Sequence, residues 1–483
     1  MASSARPSKK LRILLMPFFV TSHINPFTEL AFHLAAARPD VVEVTIAVTP
    51  ANESIVRSTL ARCGASHGAA AVEVATYAFP AVDGLPSGVE NHSAAKGPET
   101  WRIISVAGRK EALMRPGQES LIREIAPDAI ISDMHFFWNA DVAADLGVPC
   151  LVFHVMGTFA MQALVYLEND GVSEAVTDGV VTLPHFPAPD IRVPFTELPE
   201  MLKSKQSEKS MASMLRRCFG LAVNTFFDLE HGYCELYKAN GYVKRDYFVG
   251  PLSLPSPPQA ATANNSQCID WLDKQPGNSV VYLCFGTFVP ISDAQLREVA
   301  LGLEASGTPF LWVVRSDSWA PPEGWTERVG DRGLVITAWA PQTAILAHPA
   351  VGAFITHCGW NSVLETVVAG VPVLTWPILF EQFISERFVT QVLGIGERLW
   401  PEGAGVRSTR YHEHELVPAE AVARAIATFM EPGSGRDAAR KRVKELSVKA
   451  HAAMADGGSS YSDLRRLIHD LIEARSASAG TTP

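Results

Sequence analysis

The stretch Ala353-Phe354-Ile355-Thr356-His357-Cys358-Gly359-Trp360-Asn361-Ser362-Val363-Leu364-Glu365 reads as a short apolar strand, a tight turn containing Gly359, and a helix that continues through Val367 and Val368. A strand that feeds directly into a helix is part of a βα unit, and the pattern recurs on both sides of it. Apolar runs at residues 279–285, 310–314, 334–337 and 373–375 surround it in the second half of the chain. A matching set at residues 12–16, 42–48, 72–75, 129–132 and 150–153 occupies the first half. Runs without polar alternation suit strands buried on both faces, and the helical patterns between them supply the crossovers of parallel sheets. The predicted fold class is α/β, with two doubly wound, Rossmann-like domains.

Residues 251–265 carry four prolines and little charge, the composition of an interdomain linker. The expected division is an N-terminal domain over 1–250, the linker over 251–265, and a second domain over 266–460. An amphipathic C-terminal helix should follow within 461–483, with Leu464, Leu467, Ile468, Leu471 and Ile472 on one face and a disordered tail from Arg475.

Across 483 residues, 41 Lys and Arg stand against 51 Asp and Glu, a net charge of −10. With no basic stripe interleaved with aromatics, nucleic acid and anionic membrane are not expected partners. The seven cysteines are irregularly spaced with no Cys-x-x-Cys pair, which suggests reduced thiols and a cytoplasmic setting. Arg12 and Pro17 interrupt the early apolar run, so it does not read as a signal peptide, and no run is long enough to span a membrane. A monomer without membrane insertion is the expectation.

Several motifs fail on inspection. Gly394-Ile395-Gly396 has Leu399 where a dinucleotide fingerprint needs its third glycine, and no strand leads into it. His412-Glu413-His414-Glu415 reads as a solvated loop rather than a metal cluster. Neither a Gly-x-x-x-x-Gly-Lys loop nor a Gly-x-Ser-x-Gly elbow occurs.

The strand–turn–helix at residues 353–365 carries a stronger signal. A helix N-terminus after a parallel strand offers unpaired N–H groups and the positive end of a dipole, a seat for a diphosphate. His357 adds a donor beside it, Glu365 can accept from a ribose, and Trp339 offers a flat face to a base. An ordinary strand–turn–helix, with Ser362 as a cap and Trp339 in the core, fits the same spacing.

The 44-residue block from Trp339 to Gln382, with Trp339-Ala340-Pro341-Gln342, Thr356 to Glu365 and Pro377 to Gln382, resembles the plant secondary-product glycosyltransferase signature. Ser22-His23-Ile24-Asn25-Pro26, Cys284-Phe285-Gly286-Thr287 and Val249-Gly250-Pro251 are similar to the same family, so the resemblance covers nearly the whole chain. It implies a plant UDP-dependent glycosyltransferase of the GT-B fold, two Rossmann-like domains facing across a cleft. It further implies that Trp339 stacks on uracil while the Ala340 backbone bonds the base edge. Gln342 and Glu365 would hold the ribose, and Thr287, His357, Asn361 and Ser362 the diphosphate. Trp360, Glu381 and Gln382 would bind sugar hydroxyls, and Gln382 as the last signature residue goes with UDP-glucose. The chain departs from the family in having Thr287 for the commoner Ser and Ser385 for a frequent Asn.

By the same resemblance His23 is the general base. Asp133 ends a predicted strand and can reach the same sheet edge, forming a His–Asp dyad that fixes the imidazole tautomer; Asp128, before that strand, is a weaker candidate. The acceptor oxygen would attack the anomeric carbon opposite the diphosphate and give a β-glucoside. With no Asp-x-Asp triplet in the chain, no metal and no other cofactor are expected. Phe18, Phe19, Phe136, Phe137 and Phe159 are the expected acceptor wall, which suits a flavonoid or other phenolic. The alternatives are transfer to a terpenoid or steroid, extension of a sugar already on a glycoside, and a nucleotide-sugar-binding protein without catalysis.

Overall fold

The computed structural model describes residues 10–64, 72–95, 97–170, 176–183, 186–187, 189–203, 215–254, 263–287, 291–316 and 319–480. The first sheet contains β1 (Leu11–Met16), β2 (Val42–Val48), β3 (Val72–Thr76), β4 (Ala129–Asp133) and β5 (Cys150–His154). A small antiparallel sheet, β6 (Val176–Thr177), β7 (Val180–Leu183) and β8 (Ile191–Pro194), interrupts the pattern. The chain then adds β9 (Gly220–Val223) and β10 (Asp246–Phe248), completing the order β10-β9-β5-β4-β1-β2-β3. The second sheet is formed by β11 (Val280–Cys284), β12 (Phe310–Val313), β13 (Gly333–Ile336), β14 (Val351–Thr356), β15 (Val373–Thr375) and β16 (Gly396–Arg398), ordered β13-β12-β11-β14-β15-β16.

Every pairing in the two large sheets is parallel, with helices on both faces. All five residues of β4 and β5 and all six of β14 are buried, which is why these strands read as unbroken apolar runs. In each sheet the strand order reverses beside the first strand: β1 lies between β2 and β4, and β11 between β12 and β14. Side chains at the carboxyl ends of those strands line a crevice, the usual ligand position in a doubly wound sheet.

Three features depart from the sequence reading. The helix Ala263–Leu272 already begins inside the expected linker, and residues 255–262 of that linker lie outside the described residues. Gly396 opens a strand that the sequence reading did not include. A Cβ there would fall 2.3 Å from the Val373 carbonyl oxygen, so its glycine serves close strand packing. The C-terminal helix, Ser459–Gly480, continues past the expected disorder because Arg475 donates to the Lys10 carbonyl (3.0 Å) and pairs with Asp128 (3.5 Å). That helix returns to the N-terminal domain: Leu464, Leu467, Ile468 and Leu471 join its core, and Asp470 and Asp463 accept from the Tyr247 hydroxyl (2.6 Å) and Phe248 N–H (2.8 Å).

Candidate active site

β1 leads through Phe18 and Phe19 into the helix Thr21–Ala37, with His23 in its first turn. Pro26 has no N–H to give the Ser22 carbonyl four residues back. That carbonyl instead accepts from Asn361 Nδ2 of the opposite domain at 2.9 Å. The same proline-bearing turn thus holds His23 and touches the predicted diphosphate seat.

His23 Nδ1 lies 2.7 Å from Asp133 Oδ2 at the end of β4, so the structure brings the predicted pair together. Asp133 is 1% exposed and also binds a residue the sequence reading missed: its Oδ1 lies 2.7 Å from His135 Nδ1. Phe18 N–H donates to Oδ2 and His135 N–H to Oδ1, both at 3.1 Å. Burial pushes the Asp133 carboxyl up, but His23 and His135 outweigh it and hold the group well below the usual carboxylate range. His135 shares its strand end with Asp133, and its spacing of two residues was the available signal. Asp128 does not join them; its carboxylate accepts from Arg12 N–H (2.9 Å), a structural contact.

His23, Asp133 and His135 form the one cluster of described His, Cys, Asp and Glu residues close enough to hold a metal, with ligand atoms within 4.8 Å of one another. At 2.7 Å each N···O pair is satisfied by a shared proton, and an ion with bonds of about 2.1 Å would have to spread the three groups.

In the second domain, β14 ends at Thr356 and the helix Trp360–Ala369 starts with Gly359 as a cap that supplies no side-chain bond. His357 sits between two glycines: a Cβ on Gly286 would come within 2.7 Å of its ring, and one on Gly359 within 2.4 Å. Gly286 also has φ +82°, so the loop carrying exposed Thr287 depends on that residue. Burial lowers the His357 pKa to about 4, leaving a neutral imidazole beside the helix N-terminus. Its Nδ1 and Asn361 Oδ1 are buried without hydrogen-bond partners, polar atoms placed for a ligand to satisfy.

Trp339 is 43% exposed, at odds with a core role, while Ala340 is buried and its carbonyl accepts from Gln342 N–H at 2.9 Å. Gln342 Nε2 donates to Glu365 Oε2 (2.5 Å) and Ser362 Oγ (3.1 Å), and Tyr282, absent from the sequence reading, donates to Gln342 Oε1 (3.1 Å). Burial raises the Glu365 pKa to about 7, opposed by Gln342 and by Arg62 of the first domain. Arg62 reaches across the cleft with its guanidinium 5.6 Å from the Trp339 ring centre. Glu29, below it, is pushed up to about 8 by burial and then by Glu365, with Arg62 opposing.

Two sugar-side residues make protein contacts that the sequence reading did not include. The Trp360 side chain is 4% exposed and its Nε1 donates to the Asn224 carbonyl of the first domain (2.7 Å), so the indole N–H is used in joining the domains. Gln382 Oε1 accepts from the Ile378 and Leu379 N–H groups, both at 3.0 Å, leaving only Nε2 for a ligand. Glu381 is pushed up by burial, with His23 opposing from across the cleft.

The expected aromatic wall divides. Phe19 and Phe136 are buried in the core behind the dyad, Phe137 packs on Trp138, and Phe159 packs elsewhere with Tyr233 and Phe388. Phe18 lies in the same core as Phe19 and Phe136, 2% exposed, and stacks 4.4 Å from His135. Trp101 of the first domain and Phe380 of the second, which sequence reasoning missed, face each other at 6.0 Å. Phe380 is 40% exposed.

The UDP-glucoronosyl and UDP-glucosyl transferase family matches residues 259–397. UDP-glycosyltransferase 73E1 of Stevia rebaudiana is 37% identical, with 97% of each chain aligned. Scopoletin glucosyltransferase of Nicotiana tabacum is 35% identical over 96% of this chain and 98% of its own. A solved Glycyrrhiza uralensis structure, UGT73P12 complexed with glycyrrhetinic acid 3-O-monoglucuronide, has a TM-score of 0.85 at 32% identity, with 98% of both chains covered.

Proposed function

This chain belongs to the plant UDP-dependent glycosyltransferase family, with the GT-B fold, and on that premise we propose that it transfers glucose from UDP-glucose, with inversion, to a hydroxyl of a small apolar acceptor. The observation that carries the reading is the 2.7 Å His23–Asp133 pair, held against the nucleotide seat by the Asn361–Ser22 bond. The acceptor hydroxyl gives its proton to His23 Nε2 as its oxygen attacks the anomeric carbon, and UDP leaves on the opposite side. Asp133 fixes the Nδ1–H tautomer and stabilises the imidazolium. Trp339 takes the uracil face and Glu365 the ribose, with Gln342 bridging Glu365 and Ser362. His357, Asn361, Ser362, Thr287 and the free N–H groups of the helix Trp360–Ala369 take the diphosphate, which removes the need for a metal.

The acceptor reading is a flavonoid or other phenolic, supported by Trp101 and Phe380. A second reading, extension of a sugar on a glycoside, draws support from the glycoside in the Glycyrrhiza uralensis complex. All seven cysteines are unpaired, which supports a reducing, cytoplasmic setting; no described helix is long and apolar enough to cross a membrane.

The test supplies UDP-glucose with a flavonol, a triterpenoid and a flavonol glucoside, before and after chelation and dialysis. The flavonol should be the best substrate and chelated enzyme should keep most of its activity. Loss restored by Mg²⁺ or Mn²⁺ would overturn the metal-free reading, and preference for the glucoside would establish sugar extension instead.

A further inference from the structure

Asp133 is shared. Each of its oxygens takes one backbone N–H at 3.1 Å and one imidazole Nδ1 at 2.7 Å, from Phe18 and His23 on one side and from His135 alone on the other. An ionised carboxylate has about four acceptor positions, and all four are used. Because the carboxylate can only accept, both imidazoles must present Nδ1–H to it, leaving both Nε2 atoms as acceptors. The His135 ring is fixed by stacking on Phe18 and lies 5.4 Å, centre to centre, from the His23 ring. We propose that His135 is a positioning residue that competes with His23 for the charge of Asp133, weakening the carboxylate's hold on the proton His23 takes from the acceptor. The inference rests on His23 being the base.

The physical basis is simple electrostatics. A carboxylate whose second oxygen receives a strong N–H donor is a poorer partner for an imidazolium on its first oxygen, so the base releases its proton more readily between turnovers. The surrounding groups leave this competition intact. His92 and His154 are held neutral by burial, each with its pKa near 3, and Tyr77 is a buried phenol pushed up by burial. Arg109 supplies one fixed positive charge from the end of the helix Pro98–Gly108, and Glu381 faces His23 from the other domain.

The experiment is the pH dependence of kcat/KM for wild type, His135→Phe and His135→Asn with UDP-glucose and one good phenolic acceptor. Thermal unfolding and UDP affinity are measured on each protein. His135→Phe keeps a flat ring against Phe18 and removes the side-chain donor, so its acid limb should move to higher pH by about half a unit. The ratio of rates at about pH 8 and pH 5.5 should then rise about threefold. His135→Asn keeps a donor at the Nδ1 position and should return the ratio to near the wild-type value. If His135→Phe does not fold, His135→Ala makes the same loss of donor and should give the same shift. An unmoved acid limb, or an equal loss at every pH in both the Phe and Asn variants, would overturn the proposal. His23→Ala separates the two readings: an active variant removes the base itself, whereas an inactive one with an unmoved His135→Phe limb removes only the sharing.

Discussion

Gln382 shows how much a single side chain's secondary contacts decide. An amide can bond sugar hydroxyls through both its carbonyl and its NH2 group, but the Gln382 carbonyl is used by the Ile378 and Leu379 N–H groups and only the Nε2 donor group remains. A galactosyl donor that misplaces the hydroxyl facing Nε2 leaves a polar group unpaired in a closed site, a penalty of about 1–3 kcal/mol. UDP-glucose should therefore exceed UDP-galactose in kcat/KM by about tenfold or more, and Gln382→His, which cannot hold both N–H groups the same way, should narrow the gap. Equal use of both donors by the wild type would remove Gln382 as a reader of the sugar. Glu29 supplies a prediction about stability. Burial, then Glu365, raises its pKa to about 8 from an ordinary value of 4.5, so the fold favours the protonated acid. A raised group contributes stability below its unfolded pKa and loses it progressively as pH rises through the folded one. The Tm of Glu29→Gln relative to wild type should rise between about pH 5 and pH 8 and level off outside that window; a constant difference would contradict the assignment. At this scale the signature residues were legible because their chemistry is local. His135, Tyr282 and Arg62 were not, since what marks each of them is a contact with a residue distant in sequence or an unrecognised neighbour.

At the scale of elements, ten strands of the two large sheets announced themselves as apolar runs, and β9, β10 and β16 did not. β10 and β16 carry Asp246, Glu397 and Arg398 within three residues each, so neither reads as an apolar run. The small β6–β8 sheet was also missed, although the segment after it carries Glu197, which pairs with Arg387 (2.7 Å) and Arg407 (2.9 Å) of the other domain. Arg407 also pairs with Glu386, as does Arg398 at 3.2 Å. Arg387 and Glu386 belong to the helix Gln382–Arg387, so this buried cluster anchors the loop that carries the sugar-side residues. Removing one partner of a buried ion pair leaves the other uncompensated, at about 3–5 kcal/mol. Glu197→Gln should lower the unfolding free energy in urea by roughly that amount, with a rise in KM for UDP-glucose as the helix loosens. A change below about 1 kcal/mol would show that solvent reaches the cluster.

The whole molecule brings two topological switch points together. β1 and β4 aim His23 and Asp133 at the cleft, while β11 and β14 aim Thr287 and His357 at it. The contacts that join the domains include Asn361 with Ser22, Trp360 with Asn224, Glu197 with Arg387 and Arg407, and the returning C-terminal helix with β10. The doubly wound architecture could be read from alternating strands and helices, but the joining contacts depend on which side chains meet after folding. The central claim is that one domain supplies the base and the other the nucleotide seat, so the two functions should separate. The direct measurement is His23→Ala, assayed for glucosyl transfer to an ordinary phenol and, on the same sample, for UDP affinity by calorimetry. The account predicts transfer reduced to background with a UDP dissociation constant within about threefold of wild type. Near wild-type transfer, or loss of UDP binding together with activity, would contradict it.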